Sequence, residues 1–410
     1  MASREFEYKT FTEVGTLGRG KSRHRPRNDP DLYGGEYPFV QTGDVKHAPF
    51  YLTEYTQTYN AKGLAQSKLW PEGTLCITIA ANIADTAILA IPACFPDSIL
   101  GFTPHPHQAD VRYTKYCLDA FRGHMEQISK GTTQDNLSMD KLLKLRFWFP
   151  AYELQQKIAA LLTAYDDLIA NNRRRIALLD STAEEIYREW FVRMRFPGVA
   201  NGVSRVNPPP GWSYVDLPKL ASITYGFTFA GDRFSELDVG KKIIRIRDVL
   251  AGDSKTYTEE IADDKYVVRA GDLLIGMDGE FHMNHWVAED AYLVQRTCRV
   301  VPKQERLRAY LAHSLKAPIS HYQQTIVGAT VGHLGAKHLN AIKLLVPPDS
   351  LNPQLQLLNQ LLEQRLVLSK QNLRLAKSRD ALLPRLISGK LRVEALDIQF
   401  PPSMQQQPPA

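Results

Sequence analysis

The chain has 410 residues, 44% of them apolar, and a formal net charge of +6. This length allows two or three domains, and no apolar run approaches the ~18 residues of a membrane-spanning helix. The first residues, MASREFEYKT, have neither the apolar core of a signal peptide nor the bias of a transit peptide. The four cysteines form no CxxC motif. This argues against a zinc site or a disulfide framework and favours a reducing cytoplasm.

Near the amino terminus, residues 19–27 contain five cations and no acidic residue. A charge run of this kind is usually a solvated surface, and it does not by itself identify a nucleic-acid-binding protein. The overlapping segment GTLGRGKS (15–22) spells the phosphate-loop pattern. That loop must lead into a helix, which Pro26 and Pro30 forbid. We interpret the segment as a glycine-rich basic loop.

A long helix is predicted at residues 151–195. Apolar residues recur there at alternating steps of three and four, broken only at Asn172. These apolar positions are Leu154, Ile158, Leu161, Tyr165, Leu168, Ile176, Leu179, Ala183, Ile186 and Trp190. About 40 residues at ~1.5 Å each make a rod roughly 60 Å long. An apolar seam this narrow, meaning the stripe of positions just named, needs a partner helix to bury it. The leucines of residues 353–383 indicate a second helix. Because the single chain folds back to bring the two helices together, they must pair antiparallel.

The two globular parts of the chain are predicted to share one fold. Three pairs of segments match: 37–45 with 241–249, 71–90 with 269–289, and 129–150 with 326–347. Each combines a strand with a turn or loop, and the loop residues differ between the copies. We therefore predict an α+β fold in which two similar mixed α/β domains are separated by two long helices. These helices form an antiparallel coiled coil, and the chain has a pseudo-twofold internal repeat.

The predicted boundaries follow from this order. The first domain takes residues 1–150, the central helix 151–195, the second domain 196–350 and the C-terminal helix 351–392. Pro384 and Gly389 are expected to break that last helix. The final residues 393–410 include the low-complexity segment QFPPSMQQQPPA, so we predict a disordered tail.

Motifs for catalysis are weak. NPPP (207–210) has Pro210 where the base-flipping motif needs an aromatic residue. His282 and His285 could bind a metal ion or form hydrogen bonds to DNA. They lack acidic or cysteine partners at ligand spacing, which argues against the metal ion. We predict a non-catalytic protein without a metal site.

Several segments together resemble one known family. They are GGEYPFVQTGDV, the strand–loop–strand after PEGT, GTTQDNL leading to FWFP, ELQQKIAALLTAYDDLIANNRRRIALLDSTAEEIYREWF and ALLPRLISGKLRV. Their doubled order is similar to that of the specificity subunits of type I restriction–modification systems, over about residues 10–395. The resemblance implies two target-recognition domains, each reading one half of a bipartite, asymmetric double-stranded DNA site. It also implies that the coiled coil sets the gap between the halves.

The same resemblance implies partners. Two methyltransferase (modification) subunits would dock on the chain, and two restriction subunits with ATPase and nuclease chemistry would join them. The specificity subunit itself would bind no cofactor. S-adenosylmethionine, ATP and magnesium would belong to the partner subunits.

Candidate DNA-binding residues follow from the matched positions, with Arg and Lys suited to phosphates and Gln, Asn and Arg to base edges. In the first domain they are Arg19, Lys21, Arg23, Arg25, Gln41, Thr42, Asn82, Thr132, Thr133 and Gln134. In the second they are Arg245, Arg247, Glu280, His282, Asn284 and Thr330. Trp190 and Phe191 are expected to bind a modification subunit or, alternatively, to pack on their own second domain.

Two other classes of function remain open from the sequence. The coiled coil could join two domains of a non-catalytic adaptor that binds no DNA. The chain could also be a freestanding DNA enzyme, although it lacks cofactor motifs. The chain could also be the specificity subunit of a methylation-only or phage-defence system. Such a subunit would differ from one of a restriction–modification system only in its partners.

Overall fold

In the computed structural model the chain divides into two compact units. The first unit contains residues 1–170 and 375–410, and the second unit contains residues 171–374. The structure describes residues 7–80, 84–130, 139–198, 203–326 and 332–405. Both divisions between the units fall inside long helices, so each unit contains one part of each helix.

The first 150 residues form short strands around a few helices. The strands are β1 (Tyr8–Lys9), β2 (Gly15–Arg19), β3 (Tyr33–Phe39), β4 (Tyr51–Leu52), β5 (Gln57–Tyr59), β6 (Leu69–Trp70), β7 (Leu75–Thr78), β8 (Thr86–Leu89), β9 (Ala93–Cys94), β10 (Ile99–Pro104) and β11 (Phe147–Trp148). The helices are α1 (Phe11–Val14), α2 (Thr42–His47), α3 (Ala61–Ala65), α4 (Val111–Lys130) and α5 (Met139–Lys144).

The rest of the chain begins with the long helix α6 (Tyr152–Tyr187), which continues into a π-helical turn at Arg188–Val192. The strands that follow are β12 (Ser213–Asp216), β13 (Ala221–Tyr225), β14 (Lys241–Ile244), β15 (Tyr257–Thr258), β16 (Val267–Val268), β17 (Leu273–Gly276), β18 (Met283–His285), β19 (Ala291–Leu293), β20 (Thr297–Pro302) and β21 (Lys343–Val346). The helices are α7 (Leu217–Leu220), α8 (Arg308–Thr325), α9 (Ala336–Asn340), α10 (Asn352–Ile387) and α11 (Pro402–Gln405). Short 3₁₀ turns lie at Pro30–Leu32, Gly231–Arg233, Ile246–Asp248, Asp264–Tyr266, Glu305–Leu307 and Asp349–Leu351.

The sheet topology confirms the internal repeat. The antiparallel order β2-β10-β7-β8 in the first unit corresponds to β13-β20-β17-β18 in the second. A second sheet, β5-β3-β9-β6, corresponds to β15-β14-β19-β16, and in both the central pair is parallel and the outer pairs are antiparallel. The pair β1-β11 corresponds to β12-β21. The strands β7 and β17 are buried along their whole length, which explains their largely apolar sequences.

Each of the matching segments 37–45 and 241–249 ends in an Asp-Val turn, and this shared turn has a structural cause. A carboxylate oxygen of Asp44 accepts a hydrogen bond from the backbone N–H of Gln41 (2.8 Å), and Asp248 does the same for Arg245 (3.0 Å). Val45 and Val249 are buried at 1% and 0% exposure. The aspartate closes the turn and the valine anchors it, so both copies keep these two residues.

The two long helices α6 and α10 pack together and join the core of each unit. In the first unit, Ile158 and Leu162 of α6 share a core with Leu386 of α10. In the second unit, Ala183, Tyr187 and Phe191 share a core with the α10 residues Leu355, Leu358 and Leu362. The seam prediction is wrong at Leu168, which is 52% exposed, whereas Ile169 is 5% exposed. The buried stripe of α6 therefore passes through Ile169 and not through Leu168.

One amide side chain in each long helix fastens that helix to its unit; Gln155 is buried and Asn359 is half-buried. Gln155 of α6 accepts a hydrogen bond from the N–H of Asp110 (2.9 Å) and donates to the carbonyls of Gln108 and Pro150. Asn359 of α10 accepts from the N–H of Ala309 (2.9 Å) and donates to two carbonyls in the preceding turn. These N–H groups lie at the starts of α4 and α8 and have no partner within their own helices. The repeat therefore includes this helix-capping contact.

The C-terminal residues contradict two predictions. Pro384 lies inside α10, which ends only at Ile387, because Leu386 and Ile387 are buried and hold one further turn; Gly389 then takes a left-handed conformation. The disordered tail is wrong for residues 393–405. Val393 and Met404 are buried, and the carbonyl of Ser403 accepts a hydrogen bond from Arg112. Residues 406–410 lie outside the described part of the chain.

Candidate nucleic-acid interface

The basic loop after β2 has a fixed backbone. The N–H of Lys21 donates to the carbonyl of Phe95 (3.0 Å), and its carbonyl accepts from the hydroxyl of Ser67 (2.7 Å). The N–H of Arg23 donates to the side-chain oxygen of Gln66. The loop is therefore held in place by segments distant in sequence, while its charged side chains point outward.

Glycines in this segment serve packing. A methyl group on Gly18 would lie 2.9 Å from the Trp70 ring, and one on Gly20 would lie 2.3 Å from the carbonyl oxygen of Pro96. The segment that spells the phosphate-loop pattern begins on the edge strand β2 and leads to a 3₁₀ turn. The close approach of neighbouring groups thus accounts for these glycines without a bound phosphate.

The four predicted phosphate contacts differ in their surroundings. Arg19, Lys21 and Arg23 are exposed, and within the described ranges none of their charged groups has a hydrogen-bond or ion-pair partner. Arg25 is also exposed, but its guanidinium donates to the carbonyls of Ser22 and of its preceding residue (2.7 Å each). Three cations are therefore available to an anionic ligand, and the fourth stabilises the loop.

A further cation, Lys68, was missed by the sequence analysis. Its ammonium nitrogen lies 3.4 Å from the centre of the Trp70 ring. Burial, and then the positive charge of Lys21, lower the pKa of Lys68. Because Lys21 and Lys68 are far apart in the sequence, only the tertiary structure brings these like charges together. Their proximity concentrates positive potential at one edge of the first unit.

Gln41 and Arg245 occupy matching places; Gln41 bonds to the first residue of β5, and Arg245 bonds to the residue directly before β15. The Gln41 amide donates to the side-chain oxygen of Gln57 (2.6 Å), and the Arg245 guanidinium donates to the hydroxyl of Thr256. Thr42, at the first position of α2, is half-buried. Arg245 is also in contact with the carboxylate of its own turn, so it has less freedom to meet a ligand than exposed Arg247.

The loops of the second unit meet at a polar cluster that sequence reasoning missed. Asp278, at the end of β17, contacts the imidazole of His333 (2.5 Å) and the guanidinium of Arg296. Burial alone would raise the pKa of Asp278, but the hydrogen bonds and charges of His333 and Arg296 hold it below its usual value. The side chains of His333 and Arg296 are 59% and 65% exposed. The side chains of His333 and Arg296 therefore present hydrogen-bond donors to solvent while Asp278 holds them in place.

Two predicted residues lie on the loop next to this cluster. The imidazole of His282 is 3.1 Å from the carboxylate of Glu280, which is 80% exposed. The N–H of Phe281, between them, donates to the side-chain oxygen of Gln323 on α8, and the Gln323 amide donates to the carbonyl of Gly279 (2.9 Å). Hydrogen bonds to Gln323 therefore anchor the loop to α8, and the loop carries the Glu280 carboxylate and the His282 imidazole on its outer side.

Asn284 is engaged within the second unit. Its amide donates to the carbonyl of Leu250 (2.7 Å), and its oxygen accepts from the guanidinium of Arg365 on α10 (2.9 Å). The donor and acceptor of Asn284 thus tie β18 to the long helix, and its DNA contact stays a prediction. The neighbouring His285 is 6% exposed, so it faces neither DNA nor a metal site at the surface. Within the described residues, no cluster of His, Cys, Asp and Glu could hold a metal ion.

Phe191 is buried at 1% exposure in the core of the second unit, where its ring lies 5.1 Å from that of Tyr310. Trp190 is partly buried against the same core. For Phe191 the geometry supports the alternative of packing on its own domain and contradicts partner binding. The predicted residues Asn82, Thr132, Thr133, Gln134 and Thr330 lie outside the described residues. In the part of the chain that the structure covers, no helix is long and apolar enough to cross a membrane.

Comparisons with known proteins agree on one family. Residues 3–181 match the family model for the type I restriction modification DNA specificity domain. The chain is 31% identical to the type I restriction enzyme EcoBI specificity subunit of Escherichia coli over 45% of its own length, and this match spans about one third (35%) of that subunit. It is 22% identical to the MjaIX specificity subunit of Methanocaldococcus jannaschii, over 96% of this chain and 95% of that one.

A solved structure shares the fold. The S subunit of a type I restriction–modification system from M. genitalium superposes with a TM-score of 0.57 at 14% sequence identity. The superposition covers 94% of this chain and 98% of that chain.

Proposed function

We propose that the chain is a specificity subunit of a type I restriction–modification system and that it selects a bipartite, asymmetric DNA site for its complex. Each target-recognition domain reads one half of the site, and the pair of long helices sets the gap between the halves. The chain itself is a non-catalytic subunit, since the enzymatic activities of these systems reside in partner subunits. The alternative of an adaptor that binds no DNA is not favoured.

One observation carries the proposal of two half-sites. Both units share the strand orders given above, apart from the additional strand β4 in the first unit, yet they place different residues on matching loops. The loop at residues 19–25 is strongly basic, whereas its counterpart after β13 contains Asp232, Glu236 and Asp238. A shared scaffold with divergent loops suits two domains that recognise different base sequences.

In the first domain, we assign phosphate contacts to Arg19, Lys21 and Arg23, with Lys68 beside them. Cations without internal partners can release condensed counterions when they bind DNA, which contributes affinity without base specificity. Gln41 and Thr42, and beyond the described residues Asn82, Thr132, Thr133 and Gln134, remain our candidates for base edges. Arg25 supports the loop.

In the second domain, we assign contacts to the exposed groups around the polar cluster. Arg247 and Arg296 can hold guanine, Glu280 can accept from the cytosine amino group, and His282 and His333 can contact base edges or phosphates. Thr330 stays a candidate, and Arg245 positions the turn that carries Arg247.

The remaining predictions are proposals about organisation. We assign the recognition domains to residues 1–150 and 196–350 and the spacer helices to 151–195 and 351–392. Two methyltransferase subunits using S-adenosylmethionine, and two restriction subunits using ATP and magnesium, would assemble with this chain in the cytoplasm. Exposed apolar side chains on the helices, such as Leu178 (68%) and Val367 (54%), suit partner contacts better than Phe191.

The experiment that tests this function is co-expression with the cognate methyltransferase subunit, followed by sequencing of the host DNA for N6-methyladenine. We expect a new motif of two short, unlike blocks around a fixed gap. Replacing residues 1–150 with the recognition domain of a relative should change one block and leave the other. Copurification of the two proteins without such a motif would contradict DNA recognition. A failure of this chain to associate with the methyltransferase subunit would favour the adaptor function instead.

Charge removal in the basic loop gives a first prediction. We expect Lys21→Gln and Arg23→Gln each to weaken the DNA affinity of the assembled methyltransferase several-fold at moderate salt. Each should reduce the slope of log K against log[salt] by about 1, because one phosphate contact is lost. Fluorescence anisotropy across a salt series measures both quantities. The control is Lys62→Gln, whose cation lies 3.4 Å from Asp31; an equal effect there would contradict a localised contact.

A further inference from the structure

The seam between α6 and α10 contains a pair of amide side chains, Asn172, which is buried, and Asn372, which is half-buried. Asn172, where the apolar spacing of the sequence breaks, is 6% exposed, and its amide donates to the side-chain oxygen of Asn372 at 3.0 Å. Ile169, three residues before Asn172, and Leu368, four residues before Asn372, are each 5% exposed. Positions three and four apart share a helix face. A polar pair therefore lies within an otherwise apolar stripe.

The hydrogen bond makes this pair selective for one alignment of the helices. An apolar pair packs acceptably in several alignments, whereas a buried amide without a partner is penalised. A single buried Asn is a known device for fixing the register of paired helices at a cost in stability. The Asn pair thus stabilises the native register relative to displaced ones.

Two ion pairs favour the same register, and the arginine of each lies seven residues from Asn372 on α10. In the second unit, Arg365 contacts Asp180 (2.9 Å), and in the first unit, Arg379 contacts Asp166. Displacing the antiparallel helices by one heptad either way would put one of these aspartates opposite a leucine, Leu358 or Leu386. The carboxylate would lose its partner next to a residue that is buried.

We propose that the Asn172–Asn372 pair locks the register of the spacer helices and thereby fixes the gap that the protein accepts between its two half-sites. This inference rests on the proposed function of the helices as the spacer. The two residues lie in the second unit, close to the divisions between the units at Ala170/Asn171 and Arg374/Leu375. Asn172 and Asn372 are positioning residues, which set specificity without touching DNA.

The test uses the full chain assembled with its methyltransferase subunits and a set of duplexes. These carry the two identified half-sites at the native gap and at gaps one base pair shorter and longer. We expect the double variant Asn172→Leu/Asn372→Leu to melt about 2–4 °C higher than the wild type, since an apolar pair replaces a desolvated polar one. Its preference for the native gap should nevertheless fall about tenfold, because leucines accept displaced registers.

Two further variants separate register from stability. Asn372→Asp keeps an acceptor for the Asn172 amide and should retain the wild-type gap preference. Ile176→Leu changes the shape of the seam without removing a hydrogen bond and should also retain it. Should the leucine pair fail to fold, Asn372→Ala removes the same hydrogen bond and is expected to weaken gap preference.

Unchanged gap preference in folded variants that lack the hydrogen bond would overturn the register lock. In that case the proposed function would stand, because the wild type would still require a defined gap. If the wild-type complex methylates all gaps equally, the spacer function itself fails. The two failures are therefore distinguishable.

Discussion

Replacing Gln155 with alanine is expected to lower the free energy of unfolding of the first unit by about 3–5 kcal/mol, since three buried backbone groups lose their partners. The Gln155 side chain is 1% exposed and bonds to Asp110, Gln108 and Pro150. No water can easily replace it at that depth. Urea unfolding of the full chain, followed by far-ultraviolet circular dichroism, measures the change.

The adjacent residue provides a matched control. Gln156 is half-buried, and its side chain has no hydrogen-bond partner within the described residues, so Gln156→Ala should change the stability by less than about 0.5 kcal/mol. In the second unit, Asn359→Ala should resemble Gln155→Ala with a smaller effect, because Asn359 is only half-buried. Equal effects of Gln155→Ala and Gln156→Ala would contradict a role for the capping contact.

Acidification is expected to destabilise the second unit through His285. Burial lowers the pKa of His285 from 6.5 to about 3, and the positive charges of Arg365, Arg308 and His313 act in the same direction. The unfolded chain therefore takes up a proton near pH 6.5 that the folded chain refuses until about pH 3. The contribution is complete above pH 6.5 and is lost as the pH falls, by about 2 kcal/mol between pH 7 and pH 5.

The measurement is urea unfolding at pH 7, 6 and 5, in the wild type and in His285→Gln. The variant has no titrating group at this position, so its stability should decline by about 2 kcal/mol less over this interval. The exposed His124 supplies the control, since His124→Gln should keep the wild-type pH dependence. Identical pH profiles for the wild type and His285→Gln would rule out His285 as the source.

The candidate interface was only partly predictable from the sequence. The run from Arg19 to Arg27 marks a basic surface because those charges are contiguous. Arg25, however, donates to the carbonyl of Ser22, and Arg27 contacts the carboxylate of Asp97 (2.8 Å). A run of like charges does not indicate which members are neutralised by residues distant in the chain.

Three exposed or charged residues of the interface had no sequence signal. Lys68 joins Lys21 only because Ser67 and Gln66 are folded against the basic loop. Arg296 and His333 meet at Asp278 because two loops that are 55 residues apart close on each other. Asn284 has the side chain of a DNA-reading residue, but its position on β18 places it against α10.

The sequence by itself determined the repeat, the fold class and the two long helices, because these depend on local periodicity and on the order of strands and turns. The Asp44 and Asp248 turns are of this kind, since each is closed by hydrogen bonds within four residues. Only the tertiary structure decided which side of α6 is buried near Leu168, whether residues 393–405 are ordered, and which polar groups remain exposed. Those outcomes depend on contacts between residues far apart in the chain, whose energies no local pattern contains.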